Sequence, residues 1–290
     1  MKQIRLFAAL LMVALVVTSC ITWEDEEGGS SGNSQGGKRL SRMIFDSGDW
    51  EGDFNYQNGK LIKIKYKDDY GHFGEVNFTY SGTTVTIDDH IMDSKQILEL
   101  NRDGFVESGL IIDGSDTWTF NCKYSNGYLT EINIPNPPPD YFFYSYRFPY
   151  EFGTSRIEYK YDNNGNILVV NEVGKNNKII RENKITSSNN PTKGKPNFFL
   201  FGIYSNDPCP FWWAYLAGFF GKDAKNLVSK MEVSDFYDDY YGDTYSVWDV
   251  IFNYTLYNDG YVQKMNFYEN YRDGYSYSPD DGIWYAFTYE

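Results

Sequence analysis

The side chains that most often carry out catalysis are sparse in this sequence. Only two histidines occur, His72 and His90, and neither has a nucleophile motif beside it. A zinc site is also weakly indicated, because the two lie 18 residues apart with no cysteine at ligand spacing. The 40 acidic residues include no pair that a glycosidase motif singles out. The sequence therefore predicts a non-catalytic protein, with a glycoside hydrolase as the remaining enzyme class.

One acidic and aromatic stretch, residues 235–248, has side chains that suit a ligand. Its carboxylates supply the hard oxygen atoms that calcium prefers, in what reads as a flexible loop without EF-hand spacing. These carboxylates belong to Asp235, Asp238, Asp239 and Asp243. Its rings would stack on a sugar, or else pack across strands. These rings belong to Tyr240, Tyr241, Tyr245 and Trp248.

A second aromatic stretch covers residues 211–220 and has helical spacing. Trp212, Leu216 and Phe219 lie four and three residues apart, which predicts a short helix that ends at Gly221. Asp223 is placed to cap a second helix over residues 224–230. The first helix would either plug an open sheet end or form an exposed lip, with Trp212 and Trp213 contacting membrane or ligand.

The N-terminal segment has the pattern of an export signal. Lys2 and Arg5 precede an apolar run over residues 6–17, which is shorter than the roughly 20 residues that a membrane span needs. The run ends in Thr18-Ser19-Cys20, which resembles the bacterial lipobox. The resemblance implies cleavage before Cys20 and a diacylglycerol group on it. Residues 1–19 are therefore predicted to be a lipoprotein signal peptide.

The residues after Cys20 indicate a tethered domain on the cell surface. The acidic run 24–27 is similar to the surface-export signal of Bacteroides-type lipoproteins, and residues 28–37 form a flexible Gly/Ser tether. We therefore expect an outer-membrane, lipid-anchored protein that faces the cell exterior. Residues 20–39 would be the anchor and tether, and residues 40–290 a single β-repeat domain with an insertion over 186–230.

Charge limits the partners of this domain. Without the two basic residues of the signal segment, the formal charge falls from −14 to −16. A surface of that charge repels nucleic acid backbones and anionic lipid. The sequence therefore excludes nucleic acid as a partner. The expected partners are the membrane, through the N-terminal lipid, and a glycan or an envelope protein.

Two further cysteines leave a disulfide open. Cys122 lies in a predicted strand, and Cys209 lies in a Pro-Cys-Pro turn. The exported compartment permits a disulfide between them. Two buried free thiols are the alternative.

A hairpin pattern recurs along the chain. It consists of an aromatic residue, a polar residue, Asn/Asp-Gly and then two spaced apolar residues, and its first four glycines, at 59, 82, 104 and 127, are 23, 22 and 23 residues apart. Asn-Gly and Asp-Gly accept the positive φ of tight hairpin turns. After the first turn, apolar residues alternate with lysines over residues 62–67, which is typical of a strand with one wet face. These features predict an all-β antiparallel meander that forms a strongly curved sheet or a closed barrel, with a short helical insertion near 211–230.

The copy at residues 159–167, which reads YKYDNNGNI, resembles the YD (Rhs) repeat. The chain is also similar over most of residues 40–290 to Bacteroides-type lipoproteins of unknown function described as porin-like in fold. The resemblance implies a barrel-like sheet and no particular activity. The lysine-bearing strand faces and the terminal Glu290 disfavour a lipid-embedded barrel. The sequence thus predicts a surface lipoprotein that binds a glycan or host macromolecule, with a structural or assembly component of the outer membrane as the alternative.

Overall fold

The computed structural model is an all-β barrel. It describes residues 37–46, 50–68, 70–90, 93–114, 116–136, 154–201, 210–239, 242–271 and 282–290. Its strands are β1 Leu40–Phe45, β2 Trp50–Gln57, β3 Lys60–Lys67, β4 Phe73–Ser81, β5 Thr84–Asp89, β6 Ser94–Leu100, β7 Val106–Asp113, β8 Asp116–Ser125, β9 Tyr128–Asn133, β10 Thr154–Tyr161, β11 Ile167–Gly174, β12 Ile179–Pro191, β13 Asn226–Asp239, β14 Gly242–Leu256, β15 Val262–Tyr271 and β16 Ile283–Tyr289.

Every strand pairs antiparallel with its neighbours in sequence, and the last strand closes the ring on the first. Strand β16 pairs with β1 in a register that sets Tyr289 opposite Leu40 and Tyr285 opposite Phe45. The sheet is therefore a closed barrel. This confirms the predicted meander and decides between the curved sheet and the barrel.

The repeat is explained by its turns and its tyrosines. Asn58 and Gly59 have φ values of 49° and 78° in the turn between β2 and β3, the left-handed backbone that the pattern predicts. The repeat tyrosines reach back to the preceding hairpin: the Tyr80 hydroxyl donates to the Leu61 carbonyl at 2.8 Å, and the Tyr124 hydroxyl donates to the Val106 carbonyl at 2.9 Å. Because the repeat is one hairpin long, each of these tyrosines reaches the backbone of the preceding hairpin.

The barrel has two rims, defined by its alternate connections. The turn rim carries the connections β2–β3, β4–β5, β6–β7, β8–β9, β10–β11, β12–β13 and β14–β15, together with residue 38 before β1 and residue 290 after β16. The opposite rim carries the remaining connections. Because strands run from one rim to the other, each residue near a strand end belongs to one rim only.

The connection between β12 and β13 is an insertion that fills the barrel. It covers residues 192–225, less than the predicted 186–230, because ladder pairing continues to Pro191 and resumes at Asn226. It contains a 3-10 helix, Pro196–Phe201, and helix α1, Pro210–Leu216. No helix among the described residues is long and apolar enough to cross a membrane.

The predicted second helix over residues 224–230 is wrong. Asn226 begins strand β13, and Lys230 pairs with Thr186 of β12 and with Ile251 of β14. The local sequence favours either state weakly, so pairing with two neighbouring strands decides the outcome.

The wall has an apolar inner face and a charged outer face. Inward side chains such as Ile64, Val76 and Phe120 are fully buried, and the Phe120 ring contacts Phe211 of the insertion. Ion pairs cross between strands on the outside. They include Arg42–Glu51, Lys63–Glu75, Lys95–Asp88, Lys123–Glu131 and Lys230–Asp249. This pattern is the reverse of a lipid-embedded barrel, whose outer band is apolar.

Candidate functional site

The two tryptophans of helix α1 are buried in the barrel. Trp212 is 4% exposed and Trp213 is 2% exposed, so they form no exposed lip, and the plug alternative describes the segment. The Trp213 indole N–H donates to Asp89 at 3.3 Å, and the Tyr66 hydroxyl donates to the same carboxylate at 2.8 Å. A buried carboxylate with two donors is stabilised, and here it fixes the plug to strand β5.

Aromatic rings occupy the rest of the contact between plug and wall. The Phe211 ring lies edge-on to Phe120 with centroids 5.0 Å apart, and the Phe198 ring lies edge-on to Tyr285 at 4.7 Å. Such edge-to-face pairs add roughly 0.5–1.5 kcal/mol each beyond the area they bury. The plug and wall therefore form one packed core across the interior.

The predicted calcium stretch is a hairpin and not a flexible loop. Asp238 pairs with Asp243, and Asp239 pairs with Gly242, at the end of the β13–β14 ladder. The aromatic residues of this stretch favour strands, and this preference outweighs the acidic residues that suggested a loop. Tyr245 lies on β14 opposite Phe236, at the opposite rim. The remaining two predicted ring residues, Tyr240 and Tyr241, lie outside the described residues.

Asp235 and Trp248 lie inside the wall. Asp235 is 1% exposed, and Arg181 binds it with two hydrogen bonds, from Nε to Oδ1 at 2.5 Å and from Nη2 to Oδ2 at 3.1 Å. Trp248 is buried on the neighbouring strand. Asp235 is therefore the counter-ion of an arginine. Among the described residues no group of three or more His, Cys, Asp or Glu side chains is placed to hold a metal ion.

Arg181 joins a second carboxylate to this cluster. Its Nη1 donates to Glu172 Oε1 at 3.4 Å, and the Thr154 hydroxyl donates to Glu172 Oε2 at 3.4 Å. A glycosidase holds its substrate between two carboxyl groups. In this cluster Arg181 occupies the space between Glu172 and Asp235, so the arrangement is that of a buried ion network.

Two aromatic side chains of the opposite rim project into solvent. Tyr70 and Phe73 are each 80% exposed, in the connection between β3 and β4 and at the first position of β4. The Tyr70 ring stacks on His72 with centroids 6.1 Å apart. Sequence reasoning missed both residues, although aromatic residues beside Asp and Gly in a non-repeat turn were a usable signal.

Asp68 joins the two ends of this aromatic connection by hydrogen bonds. Its side chain accepts the backbone N–H of His72 at 2.7 Å, its backbone N–H donates to the His72 carbonyl at 3.0 Å, and its carbonyl accepts the Gly71 N–H at 3.0 Å. Desolvation acts to raise the pKa of Asp68, but the hydrogen bonds from His72 hold that pKa below its ordinary value. Hydrogen bonds between residues 68 and 72 thus close the connection that carries Tyr70 and precedes Phe73.

The charges of the opposite rim are mainly acidic. Among the described connections and strand ends, the acidic residues are Asp46, Asp68, Asp89, Asp93, Asp113, Asp116 and Asp239, and the basic residues are Lys67, Lys175 and Lys178. Partial burial, followed by the charges of Asp116 and Asp93, raises the pKa of Asp113. Acidic groups are therefore close enough on this rim to oppose one another's ionisation.

The three cysteines differ in what the structure says of them. Cys122 lies in β8 as predicted, and burial raises the pKa of its thiol. Cys20 and Cys209 lie outside the described residues, so lipidation of Cys20 and a disulfide to Cys209 stay predictions.

Two solved structures share this architecture. The first is a porin-like protein from Bacteroides uniformis with 16% sequence identity and a TM-score of 0.59, over 87% of this chain and 96% of that chain. The second is a porin-like protein from Bacteroides vulgatus with 14% identity and a TM-score of 0.53, over 87% of this chain and 99% of that one. No protein-family model and no curated protein matches the sequence. At this identity the likeness extends to the fold, which is a sixteen-stranded porin-like barrel.

Proposed function

We propose that the protein is a non-catalytic lipoprotein of the outer membrane that binds a glycan at the opposite rim. The observation that carries the proposal is the pair of rings, Tyr70 and Phe73, held 80% exposed on a loop closed by Asp68. Two large rings exposed to this degree cost hydrophobic stabilisation, which a ligand that covers them restores.

The surroundings of these rings favour a sugar. Aromatic faces stack on the C–H faces of pyranose rings, while nearby polar groups bind hydroxyls. Asp68, His72 and Lys67 supply such groups within the same connection and its flanking strand end. The acidic rim disfavours polyanions, so the preferred ligand class is a neutral glycan.

The porin-like fold does not make this barrel a channel. Its interior holds the aromatic plug, and its outer wall carries ion pairs that hydrocarbon would not solvate. We therefore propose that the barrel stands in water and that the lipid on Cys20 attaches it to the membrane. Labelled palmitate incorporated by the parent and absent from Cys20→Ala would support this attachment. Incorporation unchanged in Cys20→Ala would contradict it.

Glycan-array binding with a matched pair of variants tests the ligand proposal. We expect the Tyr70→Ala/Phe73→Ala protein to lose at least about tenfold in affinity for any neutral glycan that the parent retains, since stacking rings are interface anchors. Leu168→Ala is the control, because Leu168 is 44% exposed on the wall near the turn rim. Equal loss in both proteins, or no neutral glycan bound by the parent, would overturn the proposal.

A structural or assembly role is the second candidate. Phe236 and Ile179 are also exposed near the opposite rim, and apolar side chains there suit an envelope protein as well as a sugar. In-cell cross-linking from a photoreactive residue at position 236 distinguishes the two. A single defined outer-membrane partner would favour assembly, and the absence of any cross-linked protein would count against it.

A further inference from the structure

The turn rim is basic, although the protein as a whole is acidic. Among its described connections, strand ends and termini the acidic residues are Asp103, Asp162, Asp223, Asp259 and Glu290. The basic residues are Lys38, Arg39, Lys60, Arg102, Lys193, Lys195, Lys222 and Lys225. The balance at this rim is therefore positive, in a chain whose formal charge is −14.

Several of these cations have no acidic partner among the residues that the structure describes. Lys38 pairs with Asp259 at 2.7 Å, and Lys195 pairs with Asp223 at 2.8 Å. The cations that form no ion pair with any described residue include Arg39, Lys60, Arg102, Lys222 and Lys225. Their charge is available to a partner outside the molecule.

Tyrosines of the repeat support these cations. Lys60 Nζ lies 4.8 Å from the centroid of the Tyr80 ring, Lys222 Nζ lies 5.8 Å from that of Tyr128, and the Arg39 guanidinium lies 5.6 Å from that of Tyr56. In such a contact the charged head group of the lysine or arginine stays in water, while its aliphatic chain packs against the ring. The rim thus combines cations with amphipathic rings, a combination that suits a membrane interface.

The chain reaches the barrel at this same rim. The Arg39 N–H donates to the Glu290 carbonyl at 2.9 Å, which fixes the start of the described chain beside the end of β16. The anchor and tether that the sequence predicts over residues 20–39 lead into strand β1 at this rim. A lipid on Cys20 therefore holds the turn rim closer to the membrane than the opposite rim.

The overall negative charge does not prevent this approach. Strands of about eight residues, tilted as in barrels, separate the rims by about 20 Å. The Debye length at physiological ionic strength is about 8 Å. Salt therefore screens an anionic surface at the turn rim from the acidic groups of the opposite rim. The repulsion expected from the net charge of the whole protein does not apply at the turn rim.

We propose that the turn rim docks on an anionic lipid surface through the lysines and arginines that form no ion pair with a described residue. This inference rests on the proposed membrane anchorage through Cys20 and adds the orientation of the barrel. The opposite rim, with Tyr70 and Phe73, then points away from the membrane.

Vesicle co-sedimentation of the mature chain with Cys20→Ala tests the docking without the lipid anchor. We expect binding to vesicles in which half of the lipid is phosphatidylglycerol, no binding to pure phosphatidylcholine vesicles, and release by salt. Each lysine at an anionic surface is worth roughly fivefold in binding. Lys60→Glu/Lys225→Glu should therefore weaken binding by about twentyfold or more.

The control has the same charge change at the other rim. Lys175 and Lys178 are exposed and have no ion pair with a described residue, so Lys175→Glu/Lys178→Glu should bind as the parent does. Equal losses in the two double variants, or a parent that ignores anionic lipid, would overturn the docking proposal. Glycan binding by the same preparations reports separately on the ligand proposal and on folding.

Discussion

The two rims of the barrel are made by the same sixteen strands but differ in charge and in aromatic exposure. At the turn rim, tyrosines lie under lysines and donate hydrogen bonds to neighbouring hairpins. At the opposite rim, Tyr70 and Phe73 extend into solvent among acidic groups. The difference indicates that the repeat builds the barrel, while a departure from the repeat carries the exposed rings that we propose to bind a glycan.

The insertion adds to this asymmetry. It leaves β12 and returns to β13 at the turn rim, and its backbone joins two repeat turns there: the Lys222 N–H donates to the Gly127 carbonyl at 2.8 Å, and the Lys225 N–H donates to the Gly165 carbonyl at 2.9 Å. The same segment that fills the interior therefore also covers part of the turn rim and brings two of its cations.

The largest effect is expected from the buried ion cluster towards the opposite rim. Arg181→Ala would leave Asp235 and Glu172 buried without their cation, which costs about 3–5 kcal/mol in the free energy of unfolding. Urea denaturation measures it. Arg156→Ala on the outer wall is the control, since its pair with Glu158 is partly exposed and should cost about 1 kcal/mol or less. Equal costs would show that the cluster is not buried.

A smaller effect is expected from glycine-to-alanine substitutions, which should cost more stability at a crowded turn of the turn rim than at an open turn of the opposite rim. Gly165 has φ +85° and faces the Tyr128 hydroxyl where a Cβ would lie, whereas Gly114 has φ +54° and open space around it. Gly114→Ala should cost about 1–2 kcal/mol from backbone strain alone. Gly165→Ala should cost about 1 kcal/mol more because the tyrosine must move. Thermal unfolding measures both, and a greater cost at Gly114 would contradict the crowding.

The smallest effect concerns the acidic rim. The pKa of Asp113 is raised, so the folded state holds its proton more tightly than the unfolded state, and stability falls as pH rises from the ordinary pKa of 3.8 through the raised value. Asp113→Asn should therefore raise stability at neutral pH by roughly 0.5 kcal/mol or less, because the group is partly exposed. The gain should vanish at acidic pH. A loss of stability at neutral pH would contradict the assignment.

The strands and hairpins of the barrel were predictable because short stretches of sequence specify them. Turn glycines such as Gly59 and Gly127 mark hairpins, and the alternation in β3 marks a wet and a dry face. Ring closure needs β16 to meet β1, about 250 residues away, which no local pattern encodes. The family resemblance supplied the barrel as one of two alternatives.

The candidate site was less predictable because it depends on contacts between residues that are far apart in the sequence. Trp212 and Trp213 have an amphipathic spacing that fits a lip or a plug, and only the closed wall makes the plug the outcome. The partnership of Arg181 with Asp235 joins residues 54 apart through strand register. The charge difference between the rims is likewise hidden in the sequence, because the fold brings every second strand connection to the same rim.

The most direct test of the proposed orientation measures which rim faces an anionic membrane. A single fluorophore is placed on Thr83→Cys at the turn rim or on Lys175→Cys at the opposite rim, in the mature chain with Cys20→Ala and Cys209→Ser. Cys122 stays unlabelled because it is buried and its pKa is raised. With vesicles that carry a headgroup quencher, we expect quenching at position 83 and none at position 175. Equal quenching, or stronger quenching at position 175, would contradict it.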